Sequence, residues 1–251
     1  MTTLGAGFRM KNSGMFGNKT VTLRVGQGEH IYTVLEDLIC VSPYFRGILQ
    51  PRRKAIDGNC SICQDALEGN KALTFCHGPC GNNFHQACVN EWQWHAPQGV
   101  IYCPLCRERL NQPRHVTLPL PAVDAKAFDV YYNWLYDQPH IRIPSRLNHL
   151  IKAYQLGVVF SEPAFSKDVL HFIQKECVDS YVHPGLHDVT TAYDITSDPS
   201  SPLREFMVRT YMQLENLDYI VPKWETYPDE FRRDLAAALM QARSRQVQHW
   251  N

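Results

Sequence analysis

Apolar and polar residues alternate from Thr20 to Val25, with Val21, Leu23 and Val25 on one side and Thr20, Thr22 and Arg24 on the other. That two-residue period predicts a half-buried strand. Gly26-Gln27-Gly28 turns the chain back, and His30 to Val34 reads as the second strand of a hairpin. A pair of short helices is expected across Glu36 to Leu49, with Ser42-Pro43 opening the second, because proline at the first helical position has no N–H to lose. Further on, Asp124 caps a helix in which Phe128, Tyr131, Tyr132 and Leu135 recur at i, i+3, i+4 and i+7, with Pro139 just beyond its end. Leu147, Leu150, Ile151, Tyr154 and Val158 form the next stripe. Ser161 and Pro163 open a helix bearing Phe165, Val169, Phe172 and Ile173. Two more helical patterns follow. Ser201-Pro202 starts one with Leu203, Phe206, Met207 and Leu214, and Pro228 starts another with Phe231, Leu235 and Leu239. Such stripes predict buried faces. Residues 1–17 have no period and read as a mobile tail.

Between the early strands and the later helices the periodicity stops and cysteine takes over. Seven of the nine cysteines fall between Cys60 and Cys106, in the order Cys60-x2-Cys63, Cys76-x3-Cys80, His85-x2-Cys88 and Cys103-x2-Cys106. Eight soft or borderline donors fill two tetrahedral sites, and zinc suits them because its filled d shell imposes no other geometry. Closed four-ligand sites of this kind are structural. A disulfide framework is the rival, but it needs an oxidising compartment, and the N-terminal MTTLGAGFRMKNSGMFGNK lacks the apolar core of a secretory signal. His77, beside Cys76, is an alternative donor to Cys80. The turn-forming Cys80-Gly81-Asn82-Asn83 run favours Cys80 and leaves His77 as an exposed or supporting group. His95, after two tryptophans and without a paired neighbour, reads as structural.

With these ligands the stretch resembles a RING finger of the variant ordered four Cys, one His, three Cys. The resemblance implies a cross-brace, with Cys60, Cys63, His85 and Cys88 at one Zn2+ and Cys76, Cys80, Cys103 and Cys106 at the other. The same order fits a PHD finger, a histone-tail reader. The residues between the ligands favour the RING: Ile62, Trp92, Pro104, Leu105 and Arg107 stand where a RING docks a ubiquitin-conjugating enzyme, and Ile101 stands where a PHD finger usually carries tryptophan. The bland alternative makes Ile62, Trp92 and Leu105 the small core of a metal-stapled module too short to fold unaided. Both hold together, since a docking surface is itself partly apolar.

The flanks carry a second resemblance. VTLRVGQGEHIYTVLEDLICVSPYFRGIL, with Ser42-Pro43-Tyr44-Phe45, is similar to the opening of a BTB (POZ) domain. The likeness resumes after the cysteines, where Arg114-His115-Val116-Thr117-Leu118-Pro119 resembles the third BTB strand and Trp134-Leu135-Tyr136 a BTB helix end. It implies an α+β fold: a BTB/POZ domain split over residues 18–50 and 114–180, interrupted by a RING-type zinc finger at 51–113, and followed by a helical extension at 181–251. Such an arrangement is similar to that of fungal proteins of the BTB class. Long insertions into surface loops cost little closure entropy, and this one is stapled by its own metal.

Composition sets the outer bounds. With 251 residues, 44% of them hydrophobic, the chain is globular, with one or two domains. The 25 acidic and 25 basic residues cancel, which argues against a nucleic-acid partner. Arg52-Arg53-Lys54 and Arg107, Arg109 and Arg114 at the junctions read as solvated linker charge before they read as a nucleic-acid or importin site. No apolar run approaches the ~18–20 residues of a membrane span. Reduced thiolates place the chain in the cytosol or nucleus. Cys40 and Cys177 read as small buried thiols, and His183, His187 and Asp188 as incidental surface polarity. The expectation is a zinc-binding ligase or ligase component that engages a ubiquitin-conjugating enzyme without a covalent intermediate. Its BTB part would serve a second copy, a cullin or another partner. The alternatives are a non-enzymatic interaction scaffold and a PHD-type reader.

Overall fold

The computed structural model describes residues 19–28, 30–68, 71–94, 100–110, 116–136, 147–214 and 221–248. The expected tail, His95, Arg114, His115 and Pro139 lie outside them. The fold is mixed α+β. One compact unit comprises residues 1–125 and 133–138, and the other residues 126–132 and 139–251.

In the first unit, β1 (Thr20–Val25) and β2 (His30–Leu35) form the hairpin, with Val21, Leu23 and Val25 wholly buried as their alternation requires. Gly26 and Gly28 turn it at φ 68° and 89°, backbone that a side chain would strain. The short helices α1 (Glu36–Ile39) and α2 (Pro43–Leu49) follow, and their buried Leu38, Ile39 and Phe45 extend the core. The zinc-finger stretch comes next, with β3 (Leu73–Phe75), β4 (Asn83–His85) and α3 (Gln86–Trp94). After it, β5 (Val116–Leu120) returns to pair in parallel with β1, Val21 opposite Val116, giving the sheet order β2-β1-β5. The finger thus occupies the connection between α2 and β5. Tyr32 donates its hydroxyl hydrogen to the Ala125 carbonyl, and the Leu35 N–H bonds Tyr136.

The helix α4 (Ala125–Leu135) is divided between the units. In the second unit its Phe128 and Tyr131 pack with Phe160 and Phe165, the Tyr131 ring lying 5.0 Å from each of the latter two. The helices α5 (Leu147–Val159) and α6 (Pro163–Asp179) pack closely at Gly157, where a Cβ would fall on Ser166. Then come α7 (Leu186–Ile195), α8 (Pro202–Met212), a 3-10 turn over Val221–Thr226, and α9 (Asp229–Gln248). Arg204 is buried among them. It donates to Thr196 and the Tyr193 carbonyl, pairs with Glu230 at 2.6 Å and lies over the Tyr193 ring.

Several stripe positions are corrected, and one helix was not foreseen. Val158 is 60% exposed in the last turn of α5, whereas Phe160 just past the helix end is wholly buried. Phe172 and Phe206 are only half-buried, and Leu239 is 41% exposed where α9 runs past its buried Phe231 and Leu235. His187 and Asp188 lie in the first turn of α7, a helix the periodicity did not announce. There the Asp188 carboxylate accepts from the Gly185 N–H, while Val189, Ala192 and Tyr193 are buried.

Candidate metal centre

Each Cys-x2-Cys pair is built as the same tight turn. Gln64 N–H donates to the Cys60 carbonyl and Cys60 N–H to Asp65, while Arg107 N–H donates to Cys103 and Cys103 N–H to Glu108. Bridges at Asn59–Ala66 and Tyr102–Arg109 close both turns. The turn requires left-handed backbone just after the second cysteine, at Gln64 (φ 65°) and Arg107 (φ 59°). The ribbon of β3 and β4 delivers Cys76 immediately after β3 and His85 as the last residue of β4; α3 presents Cys88 one turn on.

These elements bring the eight side chains into two groups of four, Cys60, Cys63, His85 and Cys88 in one and Cys76, Cys80, Cys103 and Cys106 in the other. In each group the ligand atoms all lie within 4.8 Å of one another. His85 Nδ1 is 3.3 Å from Cys63 Sγ and 3.8 Å from Cys88 Sγ. In the second group Cys76 and Cys106 sulfurs are 3.7 Å apart, and Cys80 and Cys103 sulfurs 3.6 Å. Pairs alternate along the chain, first with third and second with fourth, which is the cross-brace. His77 stands outside both groups with its ring 4.1 Å from Phe75; burial and then the Lys19 charge lower its pKa.

The donor set fits Zn2+. His85 Nε2 lies 3.0 Å from the Ala66 carbonyl, an acceptor only, so that nitrogen carries the hydrogen and Nδ1 turns its lone pair toward the thiols. Burial pushes the Cys76 and Cys103 thiols up, and Cys88 up to about 12. Backbone amides work the other way, drawing Cys106 down to about 7 through the Glu108 N–H, and against its burial lowering Cys60 through Cys63, His85 and Ile62. The thiols of each group become thiolates together when a divalent cation sits among them, with the neutral His85 imidazole as the fourth donor of the first group. The apolar remainder is small. Phe84 and Val89 are buried with Cys60, Cys76 and Cys103, and Ile62, Leu67, Ile101 and Leu110 pack around them.

The other residues singled out lie at the surface of this core. Ile62 and Pro104 are half-buried, Trp92 is 42% and Leu105 47% exposed, and Arg107 is exposed. The Trp92 indole N–H donates to the Tyr102 carbonyl at 3.1 Å, tying the end of α3 to the last cysteine pair. Arg53 departs from the expected solvated linker. Its side chain is 11% exposed, and its guanidinium is held at 2.7 Å by Asp37. Two of its partners, Asp37 and Asn83, lie 16 and 30 residues away, too far for any local pattern to signal.

Residues 58–107 match the family model of the Ring finger domain, and this segment is a RING finger with two Cys/His zinc sites. E3 ubiquitin-protein ligase Zswim2 of Mus musculus is 43% identical over 54 residues, 20% of this chain and 9% of that relative. E3 ubiquitin-protein ligase ZSWIM2 of Homo sapiens is 38% identical over 63 residues, 23% of this chain and 10% of the relative. The chain spans about a tenth of the length of the curated relatives it matches. No solved structure matches it. Among the described residues, no helix is long and apolar enough to cross a membrane.

Proposed function

We propose that this chain is a RING-type ubiquitin ligase or ligase component, in which the finger docks a ubiquitin-conjugating enzyme carrying ubiquitin. Zinc at the two tetrads supplies shape and no chemistry of its own. The eight Cys and His side chains are its ligands in this reading, and Ile62, Trp92, Pro104, Leu105 and Arg107 are the docking surface. The observation that carries it is the exposure of Leu105 and Trp92. A module so short of apolar residues would bury its Leu and Trp if they served only its own core. The RING match and the relatives' printed activity point the same way.

The catalytic contribution in this reading is positional. Holding the charged enzyme beside an acceptor lysine replaces a bimolecular encounter by an intramolecular one, and no bond to the ligase forms. Leu105 and Trp92 supply apolar contact, with Trp92 held at one angle by Tyr102. Arg107 carries five N–H donors in a fixed fork, suited to carbonyl oxygens of both the conjugating enzyme and its ubiquitin.

The surrounding hairpin, helix pair and returning β5 support a BTB-like platform over 18–50 and 114–180, with 51–113 inserted and 181–251 as a helical extension. That platform would serve a second copy of the chain, a cullin or another protein partner. In an autoubiquitination assay, Ile62→Ala and Arg107→Ala are expected to lose about tenfold or more of the rate, worth ~1.4 kcal/mol in the barrier, with zinc content unchanged. Undiminished ubiquitin chains in both would remove this surface, and an intact zinc-bound finger that engages no conjugating enzyme would leave the scaffold reading.

A further inference from the structure

Arg53 sits where the finger leaves the helix pair, and it uses Nη1, Nε and the flat face of its guanidinium there. Nη1 donates to Asp37 on α1 at 2.7 Å and to the Gln50 side-chain carbonyl at 3.1 Å. Nε donates to the Asn83 side-chain oxygen at 2.8 Å, and the flat face lies 4.8 Å over the Phe75 ring. Phe75 and Asn83 face each other across β3 and β4. That rung adjoins Cys76, from one zinc group, and stands two residues before His85, from the other. One side chain therefore grips α1 with one edge and the ribbon of the finger with its other edge and face.

The grip is reinforced on both sides. Gln50 Nε2 donates to Glu36 and Asp37, and Lys19 pairs with Glu36 at 2.7 Å, so the acidic pair opening α1 is matched by two cations. From the finger, the Asn83 amide donates to the Lys54 and Ala55 carbonyls, and the Lys54 N–H bonds the Gly81 carbonyl at 2.9 Å. Gly81, at φ 60°, lies so close that a Cβ would fall on the Arg52 carbonyl. A free tether would leave these groups to water.

We propose that Arg53 is a positioning residue, clamping the finger at one angle to α1 and α2 so that a docked conjugating enzyme presents its ubiquitin in one direction. The delivery role rests on the ligase reading; the clamp does not. Lysine cannot replace it, because an ammonium is a single point charge with no planar fork to span Asp37 and Asn83.

The test uses the full chain, unaltered and as Arg53→Lys and Arg53→Met. Both variants are expected to keep two zinc ions and to discharge ubiquitin onto free lysine at the unaltered rate. Amide exchange at Lys54 is expected to quicken at least tenfold, and nitrogen relaxation to report finger motion independent of the sheet. In autoubiquitination, mass spectrometry is expected to find ubiquitin spread over more lysines of the chain. Lys54 exchange and relaxation unchanged in both variants overturn the clamp. An unchanged lysine pattern with a loosened finger overturns the delivery role. No discharge by the unaltered chain overturns the ligase reading and the delivery role with it, while exchange and relaxation still decide the clamp.

Discussion

Gln64 and Arg107 occupy equivalent positions after the second cysteine of their turns, and both hold a left-handed backbone that a β-carbon disfavours by roughly 1–2 kcal/mol. Glycine would fit either site, yet each carries a long exposed side chain. Gln64→Gly is expected to raise stability by up to about 1 kcal/mol, the relief of strain less the extra freedom of the unfolded chain, and to leave ubiquitin transfer unchanged. Arg107→Gly is expected to stabilise by a similar amount while transfer falls. Denaturant titration of the zinc-bound chain and a ubiquitination assay read the two effects separately, and a fall in stability for both variants would refute the strain. The ligand set was legible at this scale because cysteine spacing is local. The grip of Arg53 was not, since Asp37 and Asn83 lie in other elements, and charge beside a junction looks the same in sequence whether paired or solvated.

Among the elements, β1 and α4 could be read directly, because alternation and the i, i+3, i+4 stripe each report a single buried face. The reading weakened where helices end. Val158 continues the stripe of α5 in sequence, yet in the last turn of the helix it is exposed, and Phe160 just past the helix end is buried. The α7 segment lies behind Pro184 and Gly185, and its first turn, rich in His and Asp, hides the apolar positions that follow. The α5 and α6 pair offers the clearest element-scale test. Gly157→Ala would drive a methyl into Ser166, and overpacking of this kind costs typically about 1–3 kcal/mol. The variant is expected to melt several degrees lower, and an unchanged melting temperature would mean that the two helices part more easily than their packing implies.

For the whole chain, the finger and the helical region draw on different sources of stability. The finger buries only a few apolar side chains, Leu73, Phe75, Phe84 and Val89 among them, so its folding rests on metal binding worth roughly 10–16 kcal/mol in comparable peptides. The second unit has an aromatic core of its own in Phe128, Tyr131, Phe160 and Phe165. A strong chelator is expected to expose the amides of residues 58–107 to exchange while those of 147–214 stay protected. Simultaneous loss of both would show that the helices depend on the zinc. Parallel pairing of β1 with β5 also has a meaning for biosynthesis. The first strand emerges from the ribosome some ninety-five residues ahead of the one that completes its sheet, and every thiol of the finger emerges in between. A cell starved of zinc would therefore hold nascent chains with an open strand edge and a long unfolded loop, the state in which such chains aggregate.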